Sequence, residues 1–408
     1  MATIKDSVHD HIEIHGVAEE LLDTPPVQRL RRIGQLGTVD LVYPSANHTR
    51  FEHSLGVYHL ADRALDHLGI EGKQAERVRS AALLHDIGHC PYSHNIEDVL
   101  YRHTGKYHDE VHDLIESGPV AQTLTAHGLN PDRIADLISG EGELGQLVSG
   151  ELDVDRMDYL VRDAHHTGVP YGTIDHERLI RELRLVSGEL VLDENNVQSA
   201  ESLLLARALM NPTVYKHHVA RIAKAMLRRG VERVLETDVT DAERLRRMDD
   251  YDLISTLRAC SETERIVRRL DRRELFNRAL WTELDAVPAE LLGAEHEEIR
   301  AFEREIADQA NVDRADVILD VPAKPTMKES SSRVLVNGEV RTLAEQSTLV
   351  TALEQAQRDQ WRMGVYAPPE SSERVGTAAV RVLGLDLDGT RIRDVRTGIN
   401  ARLDEFDG

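Results

Sequence analysis

Histidine and carboxylate residues in four segments of the chain are of the types that bind a divalent metal and support phosphoryl chemistry. The pair His85-Asp86 follows an apolar run, and His53 and Asp155 complete a set of two imidazoles and two carboxylates. Four such ligands leave room on a six-coordinate ion for water and a substrate oxygen. Because three other His-Asp pairs occur in the chain, the ordered set and its flanking residues carry this interpretation. The segments are RFEHSLGV (50–57), ALLHDIGHCPYSHNIE (82–97), KYHDE (106–110) and ELDVDRMDYLVRD (151–163).

Four longer motifs extend this pattern: DTPPVQRLRRIGQLG, HTRFEHSLGVYHLA, LLHDIGHCPYSH and DVDRMDYLVRDAHHTG. With them the chain resembles the HD-domain superfamily of metal-dependent phosphohydrolases from about residue 4 to 380. Within it, the chain is most similar to the dNTP triphosphohydrolase branch, which includes a vertebrate sterile-alpha-motif enzyme and bacterial dGTPase-like proteins. The resemblance implies that the metal ligands are His53, His85, Asp86 and Asp155. The metal's identity stays open among Fe, Mn, Ni, Zn and Mg.

A second group of histidines is expected beside the metal. His94 and Glu97 lie three residues apart, so a carboxylate can orient an imidazole within one helical turn. By resemblance, we expect His94 to be the general acid on the leaving 5′-oxygen and Glu97 to position it. His89 and His108 are expected to contact the α-phosphate. The implied products are a deoxynucleoside and inorganic triphosphate.

The resemblance also implies the residues that bind the substrate. Arg50, Arg156 and Arg207 are expected on the triphosphate, and Arg156 stands where the vertebrate relative has lysine. Arg156, Tyr159 and Asp163 share one helical face. The tyrosine is expected to pack against the sugar's 2′ carbon and exclude ribose, and the aspartate to bind the 3′-hydroxyl. A structural ion pair is the alternative for Arg50, and a packing role is the alternative for Tyr159 and Tyr215. The remaining pocket residues are Gln35 and Leu36, at the sugar, and Tyr215, at the base.

Asp23, Gln28 and Arg31 match positions that hold an activating guanine nucleotide in the vertebrate relative. The alternative is a solvated helix face, with Asp23 near a helix N-terminus. The segment before them departs from the relative, since Lys5 stands where it has asparagine.

The elements that must position these residues are mostly helical. Hydrophobic periodicity predicts helices over 53–69, 74–86 and 154–166 and one long helix over 198–234. A further helix is expected to start at Pro25, with Thr24 as its N-cap. Alternation predicts a strand at 8–15, and hairpins are expected to turn at Ser187-Gly188 and Asn337-Gly338. The expected architecture is mainly α: a helical HD domain (1–320), a small α+β C-terminal lobe (321–380) and a tail (381–408).

Composition narrows the class of protein. The 408 residues include 72 acidic and 49 basic side chains, for a net charge of -23, and only seven of the basic residues are lysine. Such a surface resembles that of proteins from salt-in halophiles, an archaeal source being favoured, although an acidic mesophile is the alternative. It argues against non-specific nucleic-acid binding. Two cysteines and the lack of a signal peptide or an 18-residue apolar run favour a cytoplasmic protein without a membrane span.

These observations favour a metal-dependent dNTP triphosphohydrolase that assembles as a homo-oligomer, as its relatives do. A second hypothesis keeps the chemistry but acts on another nucleotide or a phosphomonoester. A third is a nucleotide-sensing module without turnover. The set His89, His94, Glu97 and His108 weighs against the third, because a sensor needs no general acid.

Overall fold

A computed structural model describes residues 2–193, 197–327, 331–386 and 392. The chain divides into two compact units. Unit 1 comprises residues 1–220, 227–268 and 328–351, and unit 2 comprises residues 221–226, 269–327 and 352–408. Of the predicted tail, residues 387–391 and 393–408 lie outside the described residues.

Helices dominate the described chain, which confirms the predicted fold class. They are α1 (Val17–Leu22), α2 (Pro25–Arg29), α3 (Arg50–Leu68), α4 (Gly72–Leu84), α5 (Glu97–Thr104), α6 (His112–Ile115), α7 (Gly118–Ala126), α8 (Pro131–Ile138), α9 (Gly145–Val148), α10 (Val154–Thr167), α11 (His176–Arg181), α12 (Val197–Met210), α13 (His218–Leu235), α14 (Ala242–Arg246), α15 (Asp250–Ala259), α16 (Glu264–Asp271), α17 (Ala289–Leu292), α18 (His296–Ala310), α19 (Leu343–Gln346), α20 (Thr348–Gln360) and α21 (Ser372–Val382).

The strands form three small sheets, with orders β1-β2, β3-β4-β7-β8 and β5-β9-β6. Neighbouring strands are antiparallel except β4 and β7, which are parallel. The strands are β1 (Ala2–Asp6), β2 (Asp10–Ile14), β3 (Leu183–Val186), β4 (Glu189–Asp193), β5 (Asn277–Glu283), β6 (Ile318–Asp320), β7 (Arg333–Val336), β8 (Glu339–Thr342) and β9 (Arg362–Ala367).

The two predicted hairpin turns are confirmed. Ser187-Gly188 and Asn337-Gly338 each have positive φ at both residues, as a two-residue turn between twisted strands requires. The predicted strand at 8–15 is confirmed as β2, which pairs with β1 in a hairpin.

Helices α3, α4 and α10 confirm three predicted helices to within a few residues. The predicted long helix is wrong, since a π-helical turn at Asn211–Tyr215 separates α12 from α13. Pro212 lies in that turn. Proline has no backbone N–H, so it cannot donate the hydrogen bond that a regular helix requires at this position. Pro25 begins α2 as predicted, but the Thr24 hydroxyl donates to the Leu21 carbonyl and does not cap the helix.

The hairpin of β7 and β8 belongs to unit 1, where β7 pairs with β4. The boundary expected at residue 320 therefore differs from the division into two compact units, because residues 328–351 belong to unit 1. Unit 2 contains an α+β core in which α18 and α21 pack on the sheet β5-β9-β6. Its fully buried side chains include Leu280, Ile306, Val317, Met363, Val365 and Val375.

Two helix starts in unit 1 set the position of the candidate site. Thr49 and Glu52 form a reciprocal capping box at the start of α3, so Arg50 and His53 fall in its first turns. Asp153 caps α10 by accepting from the Arg156 amide, which places Asp155 in its first turn.

Among the described residues, no helix combines the length and apolar character needed to cross a membrane.

Candidate metal centre and surrounding site

The four predicted metal ligands converge in unit 1. His53 lies on α3, His85-Asp86 directly follows α4, and Asp155 lies on α10. The Nε2 atoms of His53 and His85 are 3.3 Å apart. Asp155 Oδ1 lies 2.8 Å from the first and 3.9 Å from the second, and Asp86 Oδ1 lies 3.3 Å from His85 Nε2. One donor atom from each residue thus faces a common centre.

Hydrogen bonds on the far side of both imidazoles fix which nitrogen faces that centre. His85 Nδ1 donates to the Ala82 carbonyl at 2.8 Å, and His53 Nδ1 donates to Asp158 Oδ2 at 2.7 Å. The tautomers follow from these partners. Both Nε2 atoms are therefore directed inward, as in metal sites where a carboxylate or carbonyl orients the ligating histidine.

The electrostatics of the centre favour a positive charge. Burial alone would lower the pKa of His53, but its hydrogen bonds to Asp155 and Asp158 raise that pKa to about 10. Without a metal, a proton on His53 Nε2 supplies the positive charge that the neighbouring carboxylates favour. A divalent cation bound at the centre would take the place of that proton. His53, His85 and Asp86 form a group that could hold a metal ion, and Asp155 Oδ1 adds a second carboxylate 2.8 Å from His53 Nε2, so the donor set fits a divalent metal.

Arg50 contacts this centre directly. Its guanidinium donates to both oxygens of Asp86, at 3.0 and 3.3 Å, and to the Ser93 hydroxyl at 2.9 Å. Burial would raise the pKa of Asp86, but Arg50 and His85 hold it well below its usual value. In this structure, the ion pair that sequence analysis weighed as the alternative for Arg50 is present. Its contact with a triphosphate stays a prediction.

The second group of histidines lies against the first. His89 Nε2 is 3.2 Å from Asp86 Oδ1, and the His89 ring stacks on His108 with centroids 4.2 Å apart. His94 meets both rings edge-on, at 4.8 and 4.9 Å. The three imidazoles thus form one cluster, which adjoins the candidate metal ligand Asp86 through His89.

Glu97, the first residue of α5, orients two of these imidazoles. Its Oε2 accepts from His94 Nδ1 at 2.8 Å, and its Oε1 accepts from His108 Nδ1 and, at 3.0 Å, from the His108 amide. Burial would raise the pKa of Glu97, but the hydrogen bonds to His108 and His94 keep it far below its usual range. The carboxylate is therefore ionised, and each imidazole presents its Nε2 atom on the opposite side.

The aromatic residues predicted for the sugar and base pocket lie next to the metal centre. The Tyr159 ring is 6.5 Å from His53 and 6.2 Å from Tyr215. The Tyr215 hydroxyl donates to Asp163 Oδ2 at 2.9 Å, and His48 Nε2 lies 2.7 Å from Asp163 Oδ1. Both carboxylate oxygens of Asp163 are thus bound by side chains of the protein.

The other predicted substrate residues differ in their contacts. Burial raises the pKa of Tyr159, and the nearby guanidinium groups of Arg207 and Arg156 oppose that rise. Arg156 also donates to the Asp153 carboxylate and the Gly150 carbonyl. The Gln35 amide oxygen is buried without a hydrogen-bond partner in the described part of the chain, and Leu36 immediately precedes a 3-10 turn.

The candidate activator residues lie around α2. Gln28 donates to the Leu22 carbonyl at 2.8 Å and accepts from Arg31 Nε at 2.9 Å. The Arg31 guanidinium lies 3.6 Å above the Phe51 ring, and Asp23 is exposed at the end of α1. Gln28 and Arg31 are therefore coupled, and a nucleotide at this surface stays a prediction.

Sequence reasoning missed a buried charge network behind the metal centre. Asp158 receives hydrogen bonds from His53, from His9 at 2.6 Å and twice from Arg162, at 2.9 and 3.0 Å. Arg162 also donates to Asp6, at 2.8 and 3.3 Å. One signal was available: Asp155, Asp158 and Arg162 follow helical spacing on α10. The links to Asp6 and His9 leave no local signal because they join distant parts of the chain.

Comparison with known proteins was made against family models, curated sequences and solved structures. Residues 50–163 match the HD domain, and residues 174–394 match the HD associated region. An uncharacterized protein of Methanocaldococcus jannaschii, MJ1154, is 33% identical over 378 residues, covering 91% of this chain and 80% of that protein. The human deoxynucleoside triphosphate triphosphohydrolase SAMHD1 is 28% identical over 389 residues, covering 79% of this chain and 61% of its own length.

A solved structure extends the similarity to the fold. A phosphohydrolase from Bacteroides thetaiotaomicron aligns with a TM-score of 0.73 and 27% identity, over 90% of this chain and all of that one (100%). The associated region alone matches more than half of the chain, and the four histidine and aspartate ligands lie within the matched HD domain. The chain therefore belongs to the HD-domain phosphohydrolase family and carries the associated region of that family.

Proposed function

We propose that this protein is a metal-dependent triphosphohydrolase that cleaves deoxynucleoside triphosphates to a deoxynucleoside and inorganic triphosphate. The observation that carries the proposal is the meeting of two groups at Asp86. Asp86 Oδ1 lies 3.3 Å from His85 Nε2, in the candidate metal centre, and 3.2 Å from His89 Nε2, in the second group of histidines. Binding and proton transfer can therefore act on the same phosphate. The similarity to human SAMHD1 supports the choice of substrate class.

His53, His85, Asp86 and Asp155 would hold the metal, which when bound lowers the pKa of water and polarises a phosphate oxygen. Its identity, whether Fe, Mn, Ni, Zn or Mg, is part of what must be measured.

His94 has the geometry of a general acid in this proposal. Because its Nδ1 proton is engaged by Glu97, the proton on Nε2 is the one available to the leaving 5′-oxygen. Burial lowers the pKa of His94, and the hydrogen bond to the ionised Glu97 carboxylate opposes that fall and holds the ring in place. His108, oriented by the same carboxylate, and the stacked His89 would contact the α-phosphate.

The arginines and the aromatic pocket would bind the rest of the substrate. Arg50, Arg156 and Arg207 are assigned to the triphosphate, because guanidinium groups can bind phosphate oxygens through two donors. Tyr159 beside His53 would exclude a 2′-hydroxyl, and Asp163 would accept from the 3′-hydroxyl.

One observation favours a second candidate, hydrolysis of another nucleotide or a phosphomonoester. Both oxygens of Asp163 are already bound, by His48 and Tyr215. A 3′-hydroxyl must therefore share a carboxylate oxygen with one of these partners, since each oxygen can accept more than one hydrogen bond, whereas a substrate without that group need not.

Activation by a guanine nucleotide at Asp23, Gln28 and Arg31, and assembly into a homo-oligomer, also belong to the proposal. The coupling of Gln28 to Arg31 supports a joint role of these two side chains.

Product analysis tests the proposal. Each dNTP is incubated at molar KCl with Mn²⁺ or Mg²⁺, alone and with GTP, and products are separated by ion-exchange chromatography. Release of triphosphate and deoxynucleoside is expected, and a GTP requirement would support the activator site. His94→Gln, which should keep metal but lose turnover, excludes contaminating phosphatases. Release of single phosphates, or turnover of p-nitrophenyl phosphate only, would support the second candidate. No turnover by a metallated protein would support the sensor hypothesis.

A further inference from the structure

A turn between two helices of the associated region contacts both segments that carry the second group of histidines. This turn, the 246–250 corner, joins the end of α14 to the start of α15. It lies within residues 174–394, matched by the associated region, whereas the histidines lie within the HD domain. The corner is therefore distant in sequence from the residues it contacts.

Asp250 binds the backbone just before His94. Its Oδ1 accepts from the Tyr92 amide at 2.6 Å, and its Oδ2 accepts from the Gly34 amide at 2.9 Å. Tyr92 and Ser93 both adopt left-handed backbone conformations, with φ of 55° and 52°. Neither is glycine, so this kink is strained and must be held by its surroundings.

The Ser93 side chain also stabilises this kink through two hydrogen bonds. Its hydroxyl donates to the Gly34 carbonyl at 3.1 Å and accepts from Arg50 Nε at 2.9 Å. The chain leaves the kink at His94, so the direction of that imidazole depends on the conformation that Asp250 stabilises.

Arg246 binds the segment after His108. Its side chain, 4% exposed, donates to the Asp113 carboxylate at 2.9 Å and to the Glu110 carbonyl at 3.3 Å. The corner thus contacts each of the two segments that carry histidines through one side chain, Asp250 on the first and the buried Arg246 on the second.

Arg29 joins the corner to the backbone at His89. Its guanidinium donates to the carbonyls of His89 at 2.6 Å and Ile87 at 3.2 Å. The same group donates to the carbonyls of Arg246 at 3.0 Å and Met248 at 2.9 Å. The Arg29 guanidinium thus links the backbone at Ile87 and His89, in the HD domain, to the backbone of the corner.

We propose that the 246–250 corner positions the histidines of the HD domain, with Asp250 and Arg246 as positioning residues that do not touch the substrate. The associated region then completes the catalytic geometry and is more than an added domain. The kinetic part of the test rests on the proposed function. The structural part does not.

The structural part is hydrogen exchange of the apo protein, followed by mass spectrometry of peptides that cover 87–97 and 107–113. In Asp250→Asn, one of the two backbone amides loses its acceptor, so exchange at Tyr92, or at Gly34 in a peptide that covers 30–37, should be about tenfold faster or more. Asp241→Asn is the matched control: it removes a carboxylate that caps α14, asparagine caps equally well, and exchange in 87–97 should not change.

The kinetic part compares kcat, KM and bound metal. Asp250→Asn should lower kcat about tenfold or more, with KM and metal content within about twofold of the unchanged protein, because only the presentation of His94 is altered. Equal losses in Asp241→Asn, or unchanged exchange and kcat in Asp250→Asn, would overturn the proposal.

If Asp250→Asn does not fold, Arg246→Lys takes its place and exchange is measured in 107–113. Lysine keeps the charge but loses the fork that reaches both Asp113 and Glu110. Faster exchange in that segment with a lower kcat supports the proposal, and wild-type behaviour overturns it. If the protein turns over no nucleotide, the proposed function fails, and exchange alone decides whether the corner holds these segments.

Discussion

Replacing Asp158 by asparagine perturbs the metal centre from behind without changing the volume of any buried side chain. The Asp158 carboxylate is fully buried and accepts four hydrogen bonds, from His53, His9 and Arg162. Asparagine retains one acceptor oxygen, but its NH₂ group faces donors, and the negative charge between two imidazoles and a guanidinium is lost.

Two magnitudes follow from these contacts. Loss of the carboxylate that orients a ligating histidine costs about 10- to 100-fold in metal affinity, or about 1.4–2.7 kcal/mol. Breaking a buried ion pair costs about 3–5 kcal/mol. The lower end applies here, because Arg162 keeps its bond of 2.8 Å to Asp6. We expect the apo variant to lose about 3 kcal/mol, or about 3–5 °C in unfolding temperature for a chain of this length.

The assay separates the two effects. Mn²⁺ binding is measured by equilibrium dialysis at 25 °C, after circular dichroism shows that the variant is folded, and the apo protein is then melted. Asp10→Asn is the matched control, since Asp10 is exposed at the turn of the same hairpin that supplies His9, and its positive φ suits asparagine. Wild-type affinity and unfolding temperature in Asp158→Asn would refute the role assigned to this carboxylate.

Three further substitutions test neighbouring features. Gly56→Ala would place a Cβ 1.8 Å from Asp158 Oδ1 and should destabilise the fold by about 1–3 kcal/mol in thermal melts. Gly230→Ala is the control, because its Cβ would meet only ordinary van der Waals contacts. Equal unfolding temperatures of the two variants would contradict the steric conflict expected at Gly56. Glu97→Gln should keep metal but lower kcat about tenfold or more, since the charged imidazoles lose their anionic partner, and an unchanged kcat would remove Glu97 from its role. Tyr159→Ala should raise turnover of ribonucleotides relative to deoxynucleotides in the product assay, and an unchanged ratio would sink the steric exclusion, with Tyr159→Phe as the control that keeps the ring.

The structure brings together the four residues that the motifs imply as metal ligands, and their role as ligands stays a prediction. His85 and Asp86 follow the apolar end of α4, and Asp155 falls in the first turn of a helix whose bounds periodicity gave almost to the residue. Glu97 was predicted from its spacing to His94, although its second partner, His108, comes from another segment. Spacing indicated the pair His94 and Glu97, which are close in sequence, whereas the resemblance of the motifs grouped the candidate metal ligands from three separate segments.

The rest depended on contacts between distant segments. His9 reaches Asp158 across 149 positions, and Asp250 reaches Tyr92 across 158, so no periodicity could connect them. The π-helical turn after α12 was missed because a strong helical pattern continues on both sides of Pro212. For Arg50, residue type alone could not separate an ion pair from a phosphate contact, since a guanidinium suits both.

Asp163, the residue proposed to bind the 3′-hydroxyl of the substrate, lies in the HD domain but is bound by a residue of the associated region. Its two bound partners come from different parts of the chain: His48 precedes the matched HD domain, and Tyr215 lies in the associated region. His48 is 2% exposed and stacks on His166 at 4.4 Å, so its position is fixed by packing. Tyr215 is only partly buried and ends the π-helical turn that contains Pro212, so its hydroxyl is the partner that can more readily shift when a 3′-hydroxyl also binds Asp163. Sugar recognition would then depend on a residue of the associated region, as the presentation of His94 depends on Asp250.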